Sequence, residues 1–342
     1  MPLHRGLIPL AALVVVGGGA SAKTLSNARP PLVGVADVPL PGEATRFDYQ
    51  DVDTKRGELV IAHMGDSSVL VMSVSHRSIL KELGRIRTVR GVLVASEVGR
   101  IFATAAGTNE LVIIDSDSLT ELARTHTGRG PDGIGWDPVD DVVAVSDQRD
   151  GAVSLIAAAG LGKRTAVHLG AETGNVVFDP GRRRFWASVV SATPPDQLVA
   201  LDPLRGAIET RIALPGCNGA HGLRIHPDGH SALVACEDND VVARVDLGEG
   251  HAVTTAKTGS GPDVLAIDPT LGWLYVASES GDLAVFDIAR PGLVAIDRQH
   301  PGDGAHSVAV DPDTHGVYFP LKAGAAGRPV LRIMRPTVDK AP

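Results

Sequence analysis

Apolar stretches in this chain are short and evenly spaced. Each is about one strand long and is cut off by glycine, aspartate or proline, residues that favour turns. Val264-Leu265-Ala266-Ile267 ends in Asp268-Pro269; Gly272 opens Trp273-Leu274-Tyr275-Val276-Ala277; Gly281-Asp282 opens Leu283-Ala284-Val285-Phe286. Trp136-Asp137-Pro138, Phe178-Asp179-Pro180, Ile225-His226-Pro227 and Val310-Asp311-Pro312 mark the same first turn elsewhere. No row carries a 3.6-residue apolar period, which argues against a helical solenoid.

The period can be measured. The residues five before each turn aspartate or its equivalent are Asp48, Arg90, Asp132, Gly174, His221, Asp263 and His306, separated by 42, 42, 42, 47, 42 and 43 residues. The one long interval holds an insertion, Ser191 to Asp196. Rows of this length, each with four strands, predict an all-β fold: a seven-bladed β-propeller of four-stranded antiparallel blades, forming one domain over 23–342. The last row has strands at 306–311, 316–321 and 329–335 and lacks a fourth. The segment 32–40 resembles the fourth strand of other rows, such as Ile208 to Gly216. It is expected to close the ring as the outer strand of the last blade, because an open ring would expose unpaired strand edges.

The N-terminus changes the picture of where the protein works. His4 and Arg5 precede an apolar run from Leu7 to Val16, and Ala20-Ser21-Ala22 offers a cleavage site. This predicts a signal peptide over 1–22 and a periplasmic or secreted protein. The run is short for a membrane span, and no segment after residue 22 could cross a bilayer. No membrane insertion is therefore expected after cleavage. A net charge of −8 and an aromatic content of 4 % argue against a nucleic-acid partner.

Leu274-Tyr275-Val276-Ala277-Ser278, Val317-Tyr318-Phe319-Pro320, Arg46-Phe47-Asp48-Tyr49 and the run from Gly304 to Pro312 resemble segments of the YncE-like, or YVTN-repeat, β-propellers of exported bacterial proteins. The resemblance spans the chain after the signal and implies the propeller fold and export. One departure stands out: Val89-Arg90-Gly91-Val92 lies where relatives carry His-Gly.

In a propeller the first strand of each blade lines the channel, so the seven starts gather at one mouth, and the second strands return to it. The first ring is the seven residues above. A second ring, 15 or 16 residues further on, reads His63, Ala105, Asp147, Val189, Glu237, Glu279 and Lys322. Asp48 is expected beside His63, Asp132 beside Asp147, His221 beside Glu237, and Asp263 beside Glu279. Three histidines and six carboxylates suit one divalent cation or a polar ligand, with Arg90 and Lys322 offsetting carboxylate repulsion. The candidate metal ligands are His221, His306, Asp48, Asp132 and Asp263. Imidazole favours zinc, copper, nickel or iron, whereas carboxylates alone favour calcium or magnesium. Turn chemistry also accounts for Asp132 and Asp263, since a Pro-Asp pair caps turn amides. Gly-Ala-His occurs twice, at 219–221 and 304–306. Asp137, Asp179, Asp268 and Asp311, and the third-strand ends Asp115, Asp202, Asp246 and Asp287, read as structural turns.

Cys217 and Cys236 are the two cysteines. The hairpin geometry brings both to one end of one blade, and the family resemblance points the same way, so a disulfide is expected. The alternative is a soft metal pair beside His221. Phosphate loops, nucleophile elbows and His-Glu-x-x-His are absent.

Two functions fit. The first is an exported binding or scaffold protein that engages an unknown protein or small-molecule ligand at its top face. The alternative is a metal-dependent enzyme, lactonase- or lyase-like, with a divalent cation at the channel mouth. Gluconolactonase-type and virginiamycin B lyase-type propellers show that the architecture supports such chemistry. In that reading His221 and His306 are ligands or general base, and the three aspartates are ligands or orienting groups.

Overall fold

The computed structural model describes residues 32–158 and 164–337; the expected signal peptide lies outside the described residues. The strands form seven antiparallel four-stranded sheets. The first strands of the blades are Gln50–Asp53, Val89–Ala95, Pro131–Asp137, Glu172–Asp179, Ala220–Ile225, Pro262–Asp268 and Ala309–Asp311. Each packs against the next, and the last packs against the first, so the ring is closed.

Closure uses the strand expected from the sequence. Leu32–Pro39 pairs antiparallel with Val330–Pro336 as the outer strand of blade seven. Asp37 and Arg332 form a two-bond ion pair across this seam, with Arg332 Nε and Nη2 donating at 2.8 and 2.6 Å. Among the described residues no helix is long and apolar enough to cross a membrane.

Burial follows strand position. Middle strands such as Ser68–Ser73, Val142–Asp147 and Ser231–Cys236 are buried along their whole length, because neighbouring blades cover both faces. Outer strands such as Ser78–Leu83 are largely exposed. The core therefore lies between blades; the Phe102 ring, for instance, meets Trp136 of blade three at 5.5 Å.

The Asp-Pro turns are structural. Asp137, Asp179 and Asp268 are fully buried. Their Oδ1 atoms accept the backbone N–H of Val139, Arg182 and Leu271 at 2.9, 3.1 and 3.0 Å. Asp115, Asp202, Asp246 and Asp287 cap the outer turns in the same way. Cys217 and Cys236 form a disulfide within the core of blade five.

Candidate metal centre at the channel mouth

The backbone itself aims the first-ring side chains. In blades two to six the pairing of first and second strands slips by a bulge, between Val89 and Val92, Pro131 and Ile134, Thr173 and Val176, Ala220 and Leu223, and Pro262 and Leu265. Arg90, Asp132, Gly174, His221 and Asp263 are the first residues inside these bulges. A bulge re-aims a side chain that regular pleating would send elsewhere. Glycine follows three of them for a steric reason. A Cβ at Gly91 would lie 2.2 Å from the Asp132 carbonyl oxygen, one at Gly133 1.8 Å from Asn175 Oδ1, and one at Gly222 1.8 Å from the Asp263 carbonyl oxygen. Hydroxyls stitch the bulges to the next blade. Thr104 Oγ1 accepts the Gly91 N–H at 2.7 Å and donates to the Asp132 carbonyl at 2.8 Å. Ser188 accepts the Asn175 N–H at 2.9 Å and donates to the His221 carbonyl at 2.5 Å.

The result is a cavity of about 230 Å³ whose lining includes Asp48, Arg90, Asp132, His221, Glu237, Asp263 and Glu279, joined by Arg46, Met64 and Gln148. His221 is its hub. Its Nε2 lies 3.4 Å from Asp132 Oδ2, and its Nδ1 lies 3.3 Å from both Glu237 Oε1 and Asp263 Oδ1. Arg46 makes two bonds to Glu279, at 3.1 and 2.6 Å. Arg90 reaches Asp132 Oδ2 at 3.3 Å and bonds to Gln148.

Five carboxylates thus face two guanidinium groups, and the electrostatics reflect it. Burial, with repulsion from Asp132 and Asp263, pushes the Asp48 carboxyl well above the usual range. Burial also raises Glu237, to about 7, with His221 pulling the other way. For His221 burial disfavours the charged ring, yet the Asp132 and Asp263 carboxylates outweigh it and hold the imidazole well above its ordinary value. Burial would raise Asp263, but the bond to His221 overcomes this and holds it low.

Not every expected residue reaches the mouth. His63 is fully buried, stacks on Phe47 with ring centroids 4.0 Å apart, and shares a 3.0 Å hydrogen bond with Thr45 Oγ1; burial lowers its pKa. Asp147 is fully buried and accepts the Gly128 N–H at 2.8 Å and the Ser154 hydroxyl at 2.5 Å. Lys322 is exposed and lines no part of the cavity. The cavity lining therefore holds one histidine, His221, and five of the six expected carboxylates; His306 lies beside it, buried, with Nδ1 3.9 Å from Glu279 Oε2. Strand alternation explains the slip. Positions 15 after the ring residue, namely His63, Ala105, Asp147 and Val189, all point into the blade and are buried. Positions 16 after it, namely Met64, Gln148, Glu237 and Glu279, face the cavity. A constant spacing of 16 would have found Met64 and Gln148. Arg46, two residues before Asp48, carried no such signal.

The residues fit a divalent cation. Ligand atoms of Asp48, Asp263 and His306 lie within 4.8 Å of one another, as do those of His221, Glu237 and Asp263, so Asp263 is common to both sets. His306 Nδ1 sits 3.0 Å from the Gly304 carbonyl, which can only accept. Nδ1 therefore carries a proton, which leaves Nε2 as the nitrogen available to a metal when the ring is neutral. That Nε2 is buried without a hydrogen-bond partner, and so is Asp132 Oδ1. A buried polar atom left unpaired is costly, and a cation held with Asp48 and Asp263 would relieve it at His306.

No known protein-family pattern matches the chain, and no curated protein sequence matches it. Solved structures match in fold. A chain of Kuenenia stuttgartiensis hydrazine synthase superposes with a TM-score of 0.75 at 15 % identity, covering 88 % of this chain and 98 % of that one. A streptogramin B lyase gives 0.72 at 13 % identity, covering 90 % and 97 %. Virginiamycin B lyase from Staphylococcus aureus gives 0.71 at 12 % identity, covering 88 % and 98 %. At such identities the likeness is one of fold alone.

Proposed function

We propose that the channel mouth binds a divalent cation and that the protein is a metal-dependent enzyme acting there on a small polar substrate, in the manner of a lactonase or lyase. The observation that carries this reading is His306, whose ring lies in a cluster with Asp48 and Asp263 and whose buried Nε2 has no hydrogen-bond partner. Asp48, Asp263 and His306 would hold the ion, and His221, held between Asp132 and Asp263, would stand beside it as a positioning group. The mix of imidazole and carboxylate donors favours a transition metal or zinc over calcium or magnesium. When bound, the cation would supply a Lewis acid that polarises a carbonyl oxygen or acidifies a coordinated water. Arg46 keeps Glu279 in place at the rim, and Glu237 stands at the open edge beside His221, within reach of an incoming ligand.

A location outside the cytoplasm belongs to the same reading. The N-terminal pattern supports it, as does the Cys217–Cys236 disulfide, a bond that persists in oxidising compartments. The YVTN-repeat resemblance agrees with both.

The test is elemental analysis of full-length protein purified from the periplasm without chelators or a histidine tag. Near-stoichiometric metal, lost in the His221→Ala/His306→Ala double variant with circular dichroism unchanged, supports the reading. Protein that arrives metal-free and takes up no zinc, copper, nickel, iron, manganese, calcium or magnesium overturns it. The top face would then be a binding surface for a protein or small-molecule partner.

A further inference from the structure

Beside the mouth, on the same face, lies a cavity of opposite character. It has a volume of about 390 Å³, sits between blades two and three, and is lined by Thr88, Arg90, Asn109, Arg129, Arg149 and the turn at 106–107. Three arginines line it and no carboxylate does, in a chain whose net charge is −8, although Arg90 and Arg129 also bond to Asp132 and Asp150 outside the lining. Arg90 lines both this cavity and the mouth, so the two spaces adjoin through one side chain.

The arginines are placed by structure, not scattered. Arg149 stands on the short 3-10 turn Gln148–Asp150 that ends the second strand of blade three. Its stem lies over Gly130, where a Cβ would come within 2.9 Å of Arg149 Cγ. Asp150 accepts the Arg129 backbone N–H at 2.7 Å and its guanidinium Nε–H at 2.5 Å, which anchors the charged end of that side chain. Asn109 Oδ1 holds the Gly130 N–H at 3.0 Å and so fixes the loop that separates Arg129 from Arg149.

We infer that this cavity is an oxyanion subsite and that the substrate worked at the mouth carries a group with two or more negative charges, a phosphate monoester or a polycarboxylate. Guanidinium groups pair with both through parallel N–H bonds, and three arginines lining one small space match a multiply charged group better than a single carboxylate. The inference rests on the mouth being the working site. It also gives a role to Arg90, the first-ring residue that departs from the His-Gly of the resembled family.

The experiment titrates full-length protein with inorganic phosphate and, separately, with citrate, at ionic strength held constant with sodium chloride, by calorimetry and thermal shift. The Arg129→Gln/Arg149→Gln variant changes two exposed side chains, and zinc uptake is measured on both proteins. Saturable binding of at least one anion, weakened roughly tenfold or more in the variant with zinc uptake unchanged, is the expected result. Tighter binding of phosphate assigns the phosphoester, and tighter binding of citrate the polycarboxylate. Zinc uptake without anion binding, or anion binding equal in both proteins, overturns the inference and leaves the mouth reading intact. Arginine-dependent anion binding in protein that takes up none of the metals named above overturns the mouth reading instead.

Discussion

Asn175 donates a hydrogen bond from Nδ2 to Tyr49 Oη, at 3.0 Å, across the channel from blade four to blade one. Both side chains are buried. The bond divides the channel. The mouth cavity lies on one side; on the other is a space of about 510 Å³ lined by Tyr49 and Asn175 together with Asp51, Trp136, Phe178 and Arg224. The two cavities share no lining residue.

Tyr49→Phe tests the bridge. The ring stays, the hydroxyl goes, and a buried amide N–H loses its acceptor. Stability should fall by about 1–2 kcal/mol, read as a lower urea midpoint with an unchanged slope. An unchanged midpoint would mean that the contact carries no energy.

Asp48→Asn separates stability from metal binding. Asp48 shares its buried space with Asp132 and Asp263, and a neutral amide of the same shape relieves that crowding. In chelator-treated protein the midpoint should hold or rise, by up to roughly 1 kcal/mol. Cation affinity should drop about tenfold or more, because a ligand oxygen has lost its charge. A variant that is less stable without metal, yet binds it normally, would show that Asp48 is a structural group.

Removing the disulfide should be costly. Cys217 and Cys236 are 19 residues apart in sequence and fully buried. Closing a loop of this size is worth ~3 kcal/mol in the chain-entropy account. The double alanine variant should lose about that much in denaturant unfolding. Because Cys236 directly precedes Glu237, it should also bind the cation more weakly. Equal stability would indicate that blade packing alone holds this end of blade five.

The ring-closing ion pair should show a defined pH dependence. The bond from Arg332 holds the Asp37 carboxyl below its usual range. Its stabilisation is therefore complete above the unfolded-state value of about 3.9 and is lost as pH falls through the lower folded-state value. Both side chains are about a third exposed, so solvent limits the effect to under about 1 kcal/mol. Asp37→Asn should lower the urea midpoint slightly at pH 7, and the gap to wild type should close in acid. A gap of the same size at both pH values would assign the loss to packing.

Much of this site was legible in advance because propeller geometry is repetitive. Counting back five residues from Asp137, Asp268 and Asp311 finds Asp132, Asp263 and His306, which the ring brings to one end of the channel. The second ring was harder. A hairpin length uncertain by one residue decides whether His63 or Met64, and Asp147 or Gln148, faces the mouth, since successive side chains on a strand point to opposite sides. The histidine and the aspartate were chosen for their chemistry, and the pleat turned both into the blade. Arg46 could not be found this way, because it lies on a loop before the first blade and meets Glu279 only when blade six arrives beside it.

The amino-acid pattern by itself determined the number of blades, the strand order within each, and the closing of the ring by residues near the N-terminus. These depend on short-range turn chemistry and strand alternation, repeated until the chain meets its own start. Only the tertiary structure decided the orphaned nitrogen of His306, the hub position of His221, and the Tyr49–Asn175 bridge between residues 126 apart in sequence. Those depend on which atoms of another blade approach within a hydrogen-bond length, as the Asn175 amide does at Tyr49. Such distances are set by the packing of whole blades against one another.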